Sequence, residues 1–321
     1  MLGVPRPEVA AQILAFRYAR LLMTRLASAL ACAAMLGLAS APTSGAATRQ
    51  IRVVTHNVAG GHVFHGGLAA IDAAVQQART WRPDVVMLQE VCEAQVRAFA
   101  NRLPGYDYRF TVMRTDNGDC RGSGPRFGHL LASRWPLSDV TRTDLRGAGG
   151  RAPGDPLRYF RLTCALVAAD DVPPGRLRAC VTHLRAHGRA EDKQARREQV
   201  HRIRRTLHKR IAHGRERVVV AGDFNARPQA PVLDDMYRLK RVHGGGGAGD
   251  FVEGDQTDHR HFRSGCGPRA CRSGEVTVPG RCMCKFDYVF FSVGASRLSG
   301  RALDVGESDH KLYRASARFD F

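Results

Sequence analysis

Five places in the chain set a carboxylate, amide or imidazole directly behind a short apolar run. Asn57 follows the first run in Val53-Val-Thr-His-Asn-Val58, Glu90 follows the second in Val85-Val-Met-Leu-Gln-Glu-Val91, and His183 ends Cys180-Val-Thr-His183. Asp223 and Asn225 stand in Val218-Val-Val-Ala-Gly-Asp-Phe-Asn225, and the fifth place comprises Asp287 in Lys285-Phe-Asp-Tyr-Val289 with Asp309 and His310 in Ser308-Asp-His-Lys311. Apolar strands that finish on such groups deliver them to one rim of a sheet. A rim with Glu, Asp, Asn and two His, and no Ser-His nucleophile motif, suits a hard, oxygen-liking cation: Mg²⁺, with Mn²⁺ or Ca²⁺ as alternatives. The cation polarises a phosphoryl oxygen while a carboxylate readies water. Each piece alone has a plainer reading: a helix cap for Glu90, an Asx turn for Gly222-Asp-Phe-Asn225, a packed histidine at 183, a turn at 309–310.

Elements able to position these groups alternate along the chain. Residues 51–55 and 85–88 read as strands, and 67–82 places Leu68, Ile71, Ala74, Val75 and Ala78 at the spacing of an amphipathic helix. A second helix is expected at 93–103, strands near 106–113 and 128–133, a hairpin from 160–168 and 178–183, and a long Arg-rich helix at 191–212. Residues 218–221, 286–291 and 315–319 complete the strands, while 115–125 and 241–284 read as loops.

The 321 residues are 44% hydrophobic and 25% charged, enough for a sizeable core and too apolar for disorder. Lys and Arg outnumber Asp and Glu by 49 to 30, a net charge of +19 that favours polyanionic partners. Arg17, Arg20 and Arg25 precede an uncharged Ala- and Leu-rich stretch, with Ala39-Ser-Ala41 as a cleavage site and Ala46-Ala47 as a second choice. Residues 1–47 therefore read as a signal peptide, with Met23 as an alternative start and an uncleaved anchor helix as the competing reading. The remainder, 48–321, reads as one catalytic domain of net charge +16, exported to an extracellular, oxidising compartment. Cys32 leaves with the leader, and the eight other cysteines (92, 120, 164, 180, 266, 271, 282, 284) suggest disulfides. Cys164 and Cys180 flank an Asp170-Asp-Val-Pro-Pro-Gly175 turn symmetrically and are expected to pair across the hairpin; a four-thiolate zinc site from the last four cysteines, in a Cys-rich insertion at 241–284, is the alternative.

Taken in order, Thr55-His-Asn57, Leu88-Gln-Glu90, Leu130-Leu-Ala-Ser-Arg-Trp-Pro136, Thr182-His183, Gly222-Asp-Phe-Asn225, Lys285-Phe-Asp-Tyr288 and Ser308-Asp-His310 resemble the endonuclease/exonuclease/phosphatase superfamily over nearly all of residues 51–319. That group includes pancreatic-type deoxyribonucleases, apurinic-site endonucleases, bacterial sphingomyelinases and inositol-polyphosphate phosphatases. The resemblance implies an α/β fold of two packed mixed β-sheets flanked by helices in four layers. It also implies roles: Glu90 as principal metal carboxylate, Asn57 nearby and Asp309 sharing the ion. Asp223 would orient or deprotonate water, Asn225 would bind phosphate, and His310 and His183 would grip the scissile phosphate, with Asp287 fixing the tautomer of His310. One departure stands out. Where pancreatic-type enzymes carry the carboxylate that pairs with the first histidine, this chain has Arg126-Phe-Gly-His129 and no acid, and His129 reads as structural, with a phosphate contact as the alternative.

The resemblance leaves the substrate open. A secreted nuclease acting on DNA or RNA suits the positive charge and the Arg-rich helix, whose plainer reading is a solvated face. A sphingomyelinase or phospholipase C type of enzyme, docking on anionic membrane or phospholipid, needs an exposed apolar wedge, and the only tryptophans are Trp81 and Trp135. A non-catalytic binding module is disfavoured because Glu90, Asp223 and His310 are all present. A monomer without a nucleotide cofactor is expected.

Overall fold

Residues 85–88 and 218–221 are apolar at every position because each lies in a strand covered on both faces. The computed structural model describes residues 47–61, 63–115, 120, 122–146, 160–240, 246–256, 272–280, 282–306 and 308–321. Residues 1–46, where the signal peptide is expected, lie outside the described residues with Cys32, as do Cys266 and Cys271. The elements are β1 (Thr48–Asn57), α1 (Ala69–Thr80), β2 (Val85–Cys92), α2 (Glu93–Arg102), β3 (Asp107–Arg114), β4 (Phe127–Ser133), β5 (Leu137–Asp144), β6 (Arg161–Val167) and β7 (Leu177–His183). There follow α3 (Ala190–Ala212), β8 (Arg217–Asp223), β9 (Phe251–Glu253), β10 (Asp287–Ser292), β11 (Ser296–Leu303) and β12 (Leu312–Asp320).

One six-stranded sheet has the order β11-β12-β1-β2-β4-β3, the other β5-β6-β7-β8-β10-β9. Both are mixed: β1 runs parallel to β2 and antiparallel to β12, while β7 runs parallel to β8, which is antiparallel to β10. Strand alternation divides the core. Val53, Met87, Leu131 and Ala315 of the first sheet pack against Val181, Val219, Ala221 and Phe291 of the second. Val54, Val86 and Leu88 point the other way, onto Ile71 and Val75 of α1 and Val96 and Phe99 of α2. Val218 and Val220 face Val200, Ile203 and Leu207 of α3. Four layers result, and burial of each such side chain stabilises the fold by about 1.5–3 kcal/mol. Three strands not expected from the sequence, β5, β9 and β11, all lie at sheet edges, where β5 and β11 are exposed or half-buried along most of their length and β9 is only three residues long.

The hairpin pairing of Cys164 with Cys180 is present, directly across β6 and β7. Cys92 bonds Cys120, tying the start of α2 to the loop before β4, and Cys282 bonds Cys284. Those last two sulfurs are therefore committed to each other and not to a zinc ion. Replacing Cys164 and Cys180 by Ala should cost about 3 kcal/mol, the entropy of closing a loop of roughly 15 residues. Urea unfolding of the double variant measures it; an unchanged midpoint would show that the cross-strand packing suffices.

Candidate active site

The sheet registers bring the strand ends together. His183 is the last residue of β7 and pairs with Asp223, the last of β8; Asp223 in turn pairs with Asp287, the first residue of β10. Asn57 ends β1, beside the end of β2 that carries Glu90, and His310 enters β12 on the same rim.

Local backbone geometry aims these groups. The register between β2 and β4 slips between Leu88 and Val91, and Glu90 within that bulge adopts φ of +57°. Asn225 has φ of +49°. Such conformations are costly for non-glycine residues and persist where the surroundings impose them. Gly222, one residue before Asp223, approaches β7 so closely that a Cβ there would sit 1.8 Å from the Thr182 carbonyl oxygen.

At the centre lies Asp223, 2% exposed. Its Oδ2 accepts from Asn57 Nδ2 at 3.2 Å and lies 3.4 Å from His183 Nε2 and 3.7 Å from His310 Nε2; its Oδ1 accepts from the Asn225 backbone N–H at 2.8 Å. Burial raises the Asp223 carboxyl above the ordinary range, His310 and His183 draw it back, and Asp287 adds to the rise. His310 Nδ1 meets Asp287 Oδ2 at 2.8 Å. Burial alone would lower the pKa of His310, but the Asp287 and Asp223 carboxylates outweigh it and lift it to about 10. His310 is therefore an imidazolium at neutral pH, giving one proton to Asp287 and presenting the other toward Asp223.

Asn57 donates from Nδ2 to Glu90 Oε1 as well, at 2.9 Å, while its Oδ1 accepts from the Ala59 backbone at 3.0 Å. It thus clamps two carboxylates, with its nitrogen rather than its oxygen toward them. His183 Nδ1 lies 3.9 Å from Glu90 Oε1, and its Nε2 lies 3.1 Å from Asn225 Nδ2. Asp309 is exposed at the rim, next to His310.

All eight expected residues thus gather on one rim, held by residues to which the sequence assigned no role. His56 is buried in β1 and its Nε2–H donates to the His310 carbonyl at 3.2 Å. The Ser308 hydroxyl donates to the Asn57 carbonyl at 2.7 Å and accepts from His310 N–H. Thr277, from within the Cys-rich insertion, accepts the Phe286 and Asp287 backbone N–H groups on its hydroxyl and that of Lys311 on its carbonyl. Lys285 is buried with Asp255 at 2.7 Å and Glu253 at 3.3 Å, and the Tyr313 hydroxyl lies 2.8 Å from an oxygen of each. This buried ionic knot fixes the start of β10, two residues from Asp287.

His129 is fully packed behind His183, their ring centres 6.2 Å apart, and neither of its nitrogens has a partner among the described residues. Burial, aided by His183, lowers its pKa to about 3. Burial likewise lowers His56 to about 4. Both are neutral when folded, so each takes up a proton on unfolding once the pH falls below ~6.5. The sign follows: their stabilising contribution is complete above ~6.5 and is lost as pH falls through the folded values, at about 1.4 kcal/mol per pH unit per histidine. Denaturant unfolding between pH 7 and pH 5 should show this loss before carboxylates titrate, and His129→Phe should flatten the slope by one proton; an unchanged slope would refute it.

A model of the family described as Endonuclease/Exonuclease/phosphatase family matches residues 54–310. The chain belongs to the endonuclease/exonuclease/phosphatase family. No curated protein matches it. Among solved structures it is similar to an endonuclease/exonuclease/phosphatase from Beutenbergia cavernae DSM 12333, with 20% identity, a TM-score of 0.61, and 84% of this chain and 72% of that one covered. The human Nocturnin catalytic domain with bound sulfate anion shows 18% identity and a TM-score of 0.60, over 84% of this chain and 93% of that one. D. rerio TDP2 complexed with single strand DNA product shows 16% identity and a TM-score of 0.57, over 84% and 98%. The two-sheet architecture is that of the endonuclease/exonuclease/phosphatase family, whose members are hydrolases of phosphoester bonds and generally use divalent metals.

The family's divalent cation fits the residues present. Glu90, Asp223, Asp287 and Asp309 crowd one rim, a surplus of carboxylate that a cation relieves, and all offer the hard oxygen that Mg²⁺ or Ca²⁺ prefers. Asp223, Asp287 and His310 present ligand atoms within 4.8 Å of one another, but the Asp287–His310 hydrogen bond already occupies that pair. The remaining Asp287 oxygen, Oδ1, is buried without a partner among the described residues. Glu90, with its side chain 24% exposed, faces the open side of the rim.

Proposed function

We propose that this protein is a secreted, metal-dependent phosphodiesterase that hydrolyses phosphodiester bonds of DNA or RNA by attack of water. The observation that carries the reading is the buried carboxylate of Asp223 set between His183 and an imidazolium His310 that is backed by Asp287, with Glu90 clamped alongside. Glu90 and Asp309 would hold the divalent ion, with Asn57 keeping Glu90 in place. When bound, such an ion polarises a phosphoryl oxygen and offsets charge there.

The chain's own residues supply the proton traffic. Asp223 accepts the proton of the attacking water as the new P–O bond forms, and its raised pKa suits a base. His310 gives its Nε2 proton to the departing oxygen as the old P–O bond breaks, and Asp287 holds its Nδ1 proton throughout. His183 and Asn225 steady the non-bridging oxygens, so most of the acceleration is positioning and charge. No covalent nucleophile takes part. The three disulfides among the described residues support export to an oxidising compartment. That D. rerio TDP2 was captured with a single-strand DNA product supports a nucleic-acid substrate on this scaffold.

One observation favours a lipid substrate instead. Val63, Phe64 and Leu68 expose apolar side chains in the segment that leads from Asn57 to α1, where they could dock on a bilayer. Supercoiled plasmid and sphingomyelin vesicles, each with Mg²⁺ or EDTA, separate the readings. Nicking that EDTA stops is expected; phosphocholine release with intact plasmid would transfer the function to lipid.

A further inference from the structure

The basic residues of α3 fall into two groups. Toward its C-terminal end most are engaged: Arg204 and His201 with Asp235, His208 with Asp250, Arg210 with Glu216, and Arg202 on the Asp144 carbonyl, while Arg205 and Lys209 stand exposed between them. This part of the helix is a solvated, ion-paired face. Its first turns differ. Lys193, Arg197 and, in the loop after β8, Arg227 are exposed and pair with no carboxylate among the described residues; the polar contacts of Arg197 and Arg227 are Gln194 and the Cys284 sulfur. Arg196 between them is 6% exposed, with Nη1 on the Arg185 and His187 carbonyls and a buried Nε that has no partner among the described residues.

These four cations line a cleft of about 870 Å³ whose other wall is apolar and includes Pro231 and Phe286. Asn225 lines the cleft too, while its Nδ2 bonds His183, so cleft and active site share a side chain. Phe286 directly precedes Asp287. Cations so grouped favour an anionic ligand. The apolar wall calls for a flat or hydrophobic moiety attached to it, and the volume is that of a nucleotide-sized group. A phosphocholine headgroup is zwitterionic and leaves its cationic end without a partner among these four cations.

We infer that this cleft is the subsite for the phosphate and base next to the scissile bond of a nucleic-acid strand, with Lys193, Arg197 and Arg227 on the phosphate, Arg196 as their buried support, and Phe286 against the base. The inference rests on the phosphodiesterase reading and adds to it that the substrate is a strand with at least two successive phosphates. Backbone charge and ring stacking recognise any sequence, so little base preference follows.

The test is binding, which needs no turnover. Fluorescein-labelled dT12 is titrated with the purified full chain in EDTA, read by anisotropy at several salt concentrations. The triple variant Lys193→Ala, Arg197→Ala, Arg227→Ala should bind at least tenfold more weakly, and its salt dependence should fall by about 0.7 in log–log slope for each phosphate no longer neutralised. The charge-matched control Arg202→Ala, Arg205→Ala, Lys209→Ala, farther along the same helix, should change affinity less than threefold. Thermal melts by circular dichroism verify that both variants fold. Equal weakening in both variants would reduce the effect to net charge and overturn the subsite, as would unchanged dT12 binding in the first. Vesicles of phosphatidylserine and phosphatidylcholine form the other arm: loss of vesicle binding with dT12 binding intact would assign the cleft to lipid and overturn it also. If dT12 binds through these residues while the wild type with Mg²⁺ nicks no plasmid, the strand site stands and the hydrolytic reading fails.

Discussion

Glu90→Gln should lower Mg²⁺-dependent plasmid nicking by about 1,000-fold or more while leaving the melting temperature nearly unchanged. Glutamine keeps the shape and can still accept the hydrogen bond from Asn57, so the clamp between β1 and β2 survives. What disappears is the negative charge on the side chain that the bulge in β2 and the positive φ of Glu90 aim at the open side of the rim. Loss of the main metal carboxylate removes several kcal/mol of charge stabilisation in the transition state, and about 4 kcal/mol corresponds to that thousandfold drop. The deciding measurements are kcat in a Mg²⁺ titration and a parallel thermal melt. Wild-type turnover by the variant would remove Glu90 from the metal site.

Asp287→Asn should cost a comparable factor by a different route. The amide fills the same space behind His310 but carries no charge, and in analogous His–carboxylate pairs this exchange lowers kcat by about 10,000-fold. In the wild type His310 stays protonated up to a pH of about 10, because Asp287 and Asp223 overcome the effect of burial. Without Asp287, burial prevails and His310 loses its proton at much lower pH. The pH–rate profile distinguishes this from simple damage. Residual activity of the variant should decline as pH rises through neutrality, while wild-type activity holds to alkaline pH. Parallel profiles would exclude His310 as the proton donor.

Much of this site was legible because its chemistry sits at strand ends, and strands buried on both faces announce themselves as unbroken apolar runs. Asn57, Glu90, His183 and Asp223 each follow such a run; pairing sets β1 beside β2 and β7 beside β8, and packing of the two sheets brings the two pairs together. The edge strands were not legible: Leu137-Ser-Asp-Val-Thr141 and Ser296-Arg-Leu-Ser-Gly300 face water on one side and show no unbroken apolar run, so the sequence assigns them no element, and β9 falls within 241–284, which reads as a loop. Nor were the supports. The Thr277 hydroxyl that holds the Asp287 backbone lies in a Cys-rich stretch without periodicity, and the partner of His56 is 254 residues away. The Arg-rich helix shows the same limit: spacing cannot separate Arg204, which has Asp235, from Arg197, which pairs with no acid among the described residues.

The pairing of β1 with β12 sets when this domain can close. Thr48 lies opposite Asp320, and β1 is an interior strand, flanked by β12 on one side and β2 on the other. As the polypeptide emerges from the ribosome, the flank of β1 that receives β12 therefore stays bare until some 270 further residues have been made. Long-range pairing of this kind makes folding slow once it starts. The same adjacency brings the two ends of the domain side by side, so a short peptide joining 320 to 48, with new termini opened in an exposed turn such as 173–176, should yield a circularly permuted form with the active rim intact.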